Sequence, residues 1–126
     1  MIQFERVTKA YKQNVVIQEM DLHIQQGELV VLIGPSGCGK TTILKMINRL
    51  IKPTSGRILV QGEDVMEKDV IQLRRNIGYV IQQTGLFPHM TVEENIQIVP
   101  KLKKMPPEEI KRRTLNMMEL IGLDPE

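Results

Sequence analysis

The stretch Leu29-Val30-Val31-Leu32-Ile33-Gly34-Pro35-Ser36-Gly37-Cys38-Gly39-Lys40-Thr41-Thr42 decides how this chain is read. The aliphatic run from Leu29 to Ile33 does not alternate with polar residues. Such a run predicts a strand apolar on both faces, as in the middle of a covered parallel sheet. The residues from Gly34 to Thr41 fit G-x-x-x-x-G-K-[ST] without a gap. Each part has a physical task. The glycines permit positive φ and keep side chains away from a phosphate. Successive amides then converge as a nest for an anion, and a helix opening near Lys40 adds the positive end of its dipole. Lys40 supplies a mobile point charge for the β- and γ-phosphates. The Thr41 hydroxyl offers an oxygen to Mg²⁺, a hard ion that prefers oxygen. A glycine-rich turn with no ligand leaves Lys40 and Thr41 at the helix mouth unexplained.

Downstream of the loop, Ile43, Leu44, Ile47, Leu50 and Ile51 recur at three and four, so a helix is predicted over 40–51. Pro53-Thr54-Ser55-Gly56 ends it, a short strand covers Arg57 to Gln61, and Gly62-Glu63-Asp64 turns. Asp69 to Asn76 predicts a short helix and Ile77 to Gln82 another strand. Upstream, Ile2, Phe4 and Val7 suggest a half-buried strand, Lys12-Gln13-Asn14 a turn, and Met20, Leu22 and Ile24 a second strand that buries one face. Thr91-Val92-Glu93-Glu94 has capping-box spacing and should start a helix that Pro100 interrupts or ends. Pro106-Pro107-Glu108-Glu109 opens a last helix, which Gly122 stops.

Composition bounds the function. The chain has 126 residues, 25% charged and 41% hydrophobic, with net charge +2. This is the profile of one small globular domain and lacks the basic bias of a nucleic-acid binder. Aromatic residues make up only 3%, which argues against base-stacking platforms. With Cys38 as the single cysteine, no intrachain disulfide forms, and its place in the loop suits a small residue in a tight turn. The N-terminus has no apolar signal core, and Leu29 to Ile33 is too short to span a bilayer. A cytoplasmic location follows, with any membrane attachment through a partner. His23 and His89 are too isolated from other ligand types to suggest a metal site.

The loop Gly34-Pro35-Ser36-Gly37-Cys38-Gly39-Lys40-Thr41-Thr42 resembles the Walker A loop of ABC-type ATPases. Lys45-Met46-Ile47-Asn48-Arg49-Leu50-Ile51 followed by Pro53-Thr54-Ser55-Gly56 continues the resemblance. Ile77-Gly78-Tyr79-Val80-Ile81-Gln82 resembles the family's Q-loop, and Leu86 to Asn95 the segment after it. The resemblance runs over essentially the whole chain. Within the family it is most similar to ATP-binding subunits of importers for quaternary-amine osmoprotectants such as glycine betaine, carnitine and choline. Lys45 to Leu50, the run Tyr79 to Pro88, and Val99-Pro100-Lys101-Leu102 point that way.

This resemblance implies an α/β P-loop NTPase of ABC type, truncated, with an N-terminal antiparallel β part. Residues 1–90 would form the nucleotide-binding part and residues 91–126 the start of a helical subdomain. It implies ATP and Mg²⁺ as ligands. Gly34, Pro35, Ser36, Gly37, Cys38, Gly39, Lys40, Thr41 and Thr42 would hold the phosphates. Tyr11 would stack on adenine, although a surface tyrosine with no ligand role is the plainer alternative. Thr41 and Gln82 would lie at the metal, with Gln82 sensing the attacking water through an amide that both donates and accepts. A polar residue ending a strand is the alternative for Gln82. Leu86, Phe87 and Pro88 would face the membrane-spanning subunits, with core packing as the alternative. A second ATPase subunit would complete the intact protein at the inner face of the membrane, and no nucleic acid is implied.

The chain departs from the family's pattern after Gln82, where 44 residues remain. They contain no L-S-G-G-Q signature, no apolar run ending in Asp-Glu and no switch histidine. The chain therefore resembles the front portion of a longer subunit. Phosphoryl transfer needs a polarised water as well as phosphate contacts, so binding of ATP without hydrolysis is expected of these residues alone. The alternative function is a non-hydrolysing nucleotide-binding or interaction module.

Overall fold

A computed structural model describes residues 1–81 and 85–123. The chain divides into two compact units, Met1–Ile77 and Gly78–Glu126.

The first unit is built on an antiparallel sheet of order β2-β1-β3-β4, with β1 at Ile2–Tyr11, β2 at Asn14–Ile24, β3 at Ser55–Val60 and β4 at Glu63–Asp64. A two-residue turn joins β1 to β2, with Tyr11 paired to Asn14 and Lys12 at φ 55°. That positive φ matches the twist that tight hairpins need. Phe4 and Val7 are both fully buried although three residues apart. A bulge explains the spacing: Arg6 has φ 46°, its N–H donates to Asp21 Oδ1 at 2.7 Å, and the pairing slips between Phe4 and Val7. The extra residue turns Val7 back to the core face.

Helix α1 spans Lys40–Ile47 and buries Ile43, Met46 and Ile47. These pack with Phe4, Val7, Ile17, Ile58, Val65 and Leu73 into one core. Each such side chain contributes on the order of 1.5–3 kcal/mol of burial. The helix is four residues shorter than its periodicity predicts. Arg49 adopts φ 51°, its N–H donates to Met46 O, and the Leu50 N–H donates back to Lys45 O at 2.8 Å. This is a Schellman cap, which throws Leu50 and Ile51 off the helix. Helix α2 spans Val70–Arg75 and is capped by Asp69, whose side chain accepts the Gln72 N–H.

Two predicted strands are not strands. Residues 29–33 and 77–81 form no strand and pair with no neighbour among the described residues. A strand exists only where a neighbour completes its hydrogen bonds, and neither segment joins the antiparallel sheet. Leu32 packs on the core, whereas Leu29 and Ile33 are each 91% exposed and Val31 69%. Val30 is 41% exposed too, so within this run Leu32 alone is covered. Gln82, the last residue of the second predicted strand, lies outside the described residues.

In the second unit, helix α3 spans Val92–Leu102 and α4 spans Pro107–Leu120, and the two pack together. The capping box at Thr91 and Glu94 is formed in both directions. Pro100 lies inside α3 rather than ending it. It falls in the last turn, where its missing N–H removes a single bond, and Lys103 N–H still closes the helix on Val99 O. Gly122, at φ 71°, ends α4 as the sequence predicts, with Leu123 N–H donating to Met118 O.

Candidate functional site

The loop between Ile33 and α1 is shaped by two glycines in the left-handed region, Gly37 at φ 84° and Gly39 at φ 100°. Gly39 is needed twice over. A Cβ there would press on Val16 Cγ1 at 3.2 Å and Ile17 Cγ1 at 3.3 Å, so β2 lies directly against the loop. Gly39 is also the N-cap of α1, and it offers no side chain to the first-turn amides. No acidic residue stands in that first turn either. Helices α2 and α3 are different: Asp69 and Thr91 cap them, and Glu93 and Glu94 sit in the first turn of α3. Among the described residues no side chain caps the positive end of α1, the condition that favours an anion.

Lys40 curls back over the same loop. Its Nζ donates to Gly34 O and Pro35 O, both at 2.7 Å, and lies 3.4 Å from Cys38 Sγ. The ammonium thus sits at the loop mouth, on carbonyls it can exchange for phosphate oxygens. Cys38 is exposed and unbridged. Thr41, next in the helix, is exposed and carries the hydroxyl a divalent cation would need. Magnesium usually takes one or two protein oxygens, the rest coming from phosphates and water. The Thr41 hydroxyl would supply one such oxygen, and bound phosphates and water would have to supply the rest.

Tyr11 sits at the end of the hairpin whose second strand meets Gly39. Ala10 pairs with Val15 and Lys9 with Ile17, only a few residues from the contact. Tyr11 is 45% exposed, with the Lys9 ammonium 4.8 Å from its ring centroid. Gln82 belongs to the predicted site and lies outside the described residues.

In the second unit, a groove of about 390 Å³ is lined by Leu86, Phe87, Pro88, Met90, Val92, Asn95, Ile96, Ile121 and Leu123. Leu86 is 65% exposed and Phe87 47%. The loop carrying them is held by a residue whose role the sequence did not suggest. Asn95 Oδ1 accepts Phe87 N–H at 2.8 Å, and its Nδ2 donates to Phe87 O, Met90 O and Thr91 O at 2.8 to 3.2 Å. Two further residues of consequence, Arg49 and Arg74, gave no sequence signal because their partners are backbone carbonyls far along the chain.

Residues 17–125 match the family described as ABC transporter. The chain is 54% identical, over 100% of its own length, to the glycine betaine/carnitine/choline transport ATP-binding protein OpuCA of Bacillus subtilis. It is 50% identical over 98% of its length to the osmoprotectant import ATP-binding protein OsmV of Salmonella typhimurium. It spans about a third of the length of these relatives, 33% and 34%. Among solved structures, the ATP-binding cassette MJ0796, a dimer in a post-hydrolysis state bound to ADP and Pi, superposes with a TM-score of 0.84 at 33% identity. That match covers 99% of this chain and 59% of the other. The glycine-rich loop, the antiparallel sheet beside it and these likenesses agree: the chain belongs to the ABC transporter ATP-binding family and is related to the ATP-binding subunits of osmoprotectant importers.

Proposed function

We propose that this chain binds Mg-ATP through residues 34–42, as the front part of an ATP-hydrolysing subunit that drives import of quaternary-amine osmoprotectants. One observation carries the reading. Among the described residues no side chain caps the N-terminus of α1, and the Lys40 ammonium is folded onto the carbonyls of Gly34 and Pro35 beside it. Bound ATP would supply the phosphoanhydride bond whose cleavage drives transport. The chain's own residues bind and orient. The backbone of residues 34–42 and the Lys40 ammonium hold the phosphates, Thr41 offers its hydroxyl to Mg²⁺, and Tyr11 covers the adenine. Gln82 is assigned to the metal and the attacking water on sequence grounds alone.

In this reading, residues 1–90 form the nucleotide-binding part and residues 91–126 open the helical subdomain. The exposed apolar loop at Leu86, Phe87 and Pro88 docks the membrane-spanning subunits. A second ATPase subunit completes the site, at the inner face of the membrane.

A second reading, binding without turnover, is favoured by one feature of the sequence. These 126 residues hold no apolar run ending in Asp-Glu and no signature motif. Without a general base, phosphate contacts position the nucleotide but do not polarise water. Titration calorimetry with Mg-ATP tests the binding, with Lys40→Ala as control. A phosphate-release assay tests turnover. Binding weakened by Lys40→Ala, with no release, is the expected pair of results. Release that disappears in Lys40→Ala would overturn the non-hydrolysing reading, and no binding at all would overturn both.

A further inference from the structure

A helix of two turns has little stability of its own in water, so the direction of α1 must be fixed from outside. Its buried face supplies part of that constraint. Its C-terminal end supplies the rest, through two arginines. Arg49 occupies the left-handed cap position, at φ 51°, where glycine is usual. Its Nη1 donates to Lys68 O at 2.8 Å and to Val65 O at 3.3 Å. Arg74 of α2 reaches across in return. Its Nε–H donates to Asn48 O at 3.1 Å and its Nη2 to Arg49 O at 2.9 Å. Two guanidinium groups therefore tie the end of α1, the 65–68 turn and α2 into one hydrogen-bonded unit. They also place positive charge at the negative end of the α1 dipole.

We propose that Arg74, acting through the carbonyls of Asn48 and Arg49, is a positioning residue for the phosphate loop. It sets the direction of α1, and with it the placement of the first-turn amides, Lys40 and Thr41. The proposal rests on the phosphate-binding reading above. The hydrogen bonds of Arg74 all lie at the other end of the helix. At 1.5 Å per residue the helix is about 12 Å long, so a tilt of about 5° moves its far end by about 1 Å. Misplacement of that size is costly to a site that depends on geometry.

Arg74→Ala and Arg74→Lys in the full chain test this by two measurements. The first is amide hydrogen exchange from Ile43 to Ile47 without nucleotide. The second is affinity for Mg-ATP and for inorganic tripolyphosphate, which has no base to stack. Arg74→Ala is expected to speed the exchange and to weaken both ligands by the same factor, about tenfold. Arg74→Lys should recover part of both losses, since an ammonium still donates to carbonyls. It also decides the matter should the alanine variant not fold. A general stabilising role would lower the melting temperature but leave tripolyphosphate affinity unchanged below the melt. That result, or unchanged exchange, overturns the proposal while the nucleotide reading stands. A parent chain that binds neither ligand overturns the nucleotide reading, and this proposal with it.

Discussion

The ammonium of Lys40 lies 2.7 Å from the carbonyl oxygen of Gly34, so the lysine closes its own loop from six residues downstream. A second bond to Pro35 O, also 2.7 Å, shares the same nitrogen. A phosphate entering the loop must compete with these carbonyls, and it wins because it carries charge where they carry only partial charge. Charge-assisted hydrogen bonds are worth about 1.5–3 kcal/mol each. Lys40→Ala is therefore expected to weaken Mg-ATP binding by about ten- to a hundredfold, measured by titration calorimetry. Lys40→Arg should also bind poorly, because a planar fork does not fill the place of a compact ammonium.

Gly56 limits the sheet in a different way. It has φ 81°, and a Cβ there would overlap the carbonyl oxygens of Glu5 and Arg6 on the neighbouring strand. Both neighbours are backbone, which cannot swing aside. Gly56→Ala should destabilise the first unit by more than about 1 kcal/mol, seen as a lower urea midpoint with little change in slope. Gly62→Ala serves as the control. Its φ is 82°, but no atom lies within 4 Å of the added methyl, so only the backbone penalty remains.

The local signals in this sequence were legible because they are complete in a few residues. The turn at Lys12-Gln13, the Thr91 to Glu94 box and the stop at Gly122 all need partners no more than five positions away. The phosphate loop was legible for the same reason. What could not be read was set by distant partners. The run from Leu29 to Ile33 has strand character, but a ladder needs a neighbour, and none pairs with it among the described residues. The end of α1 was misjudged because Arg49 takes a conformation usual for glycine, held by carbonyls at Val65 and Lys68. The bulge at Arg6 hid in a three-residue spacing between Phe4 and Val7, which periodicity alone reads as irregular.

The exposed apolar row at Leu29, Val31 and Ile33 makes a prediction about association. These exposed side chains alternate along a segment whose backbone is unpaired among the described residues. Unpaired backbone carrying exposed apolar side chains is open to pairing with another chain. Light scattering on the 126-residue chain should show mass rising with concentration. Val31→Lys is expected to reduce that rise without altering the urea midpoint, since Val31 is already exposed to solvent. A monomer of constant mass at high concentration would overturn this expectation.

The capping box of α3 couples the helix to acid. Thr91 N–H donates to Glu94 Oε2 at 2.8 Å, and Glu94 N–H donates to Thr91 Oγ1 at 3.1 Å. The hydrogen bond from the Thr91 amide, followed by the Thr91 hydroxyl and the charges of Lys101 and His89, holds the Glu94 carboxyl below its ordinary range. A carboxyl depressed in the folded state stabilises that state above its unfolded pKa, and the contribution fades as pH falls through the folded value. Amide protection at the start of α3, corrected for the intrinsic slowing of exchange in acid, should therefore be greatest near neutral pH and fall as Glu94 takes up its proton. Glu94→Gln should lose most of this pH dependence while keeping the Glu94-position N–H bond to Thr91. Thr91→Ala should cost about 1 kcal/mol of cap energy at neutral pH. It removes only the hydroxyl, so the Glu94 titration followed by NMR should move part of the way towards the ordinary glutamate value. A Glu94 midpoint already at that value in the parent chain would show that the reciprocal bond does not form in solution.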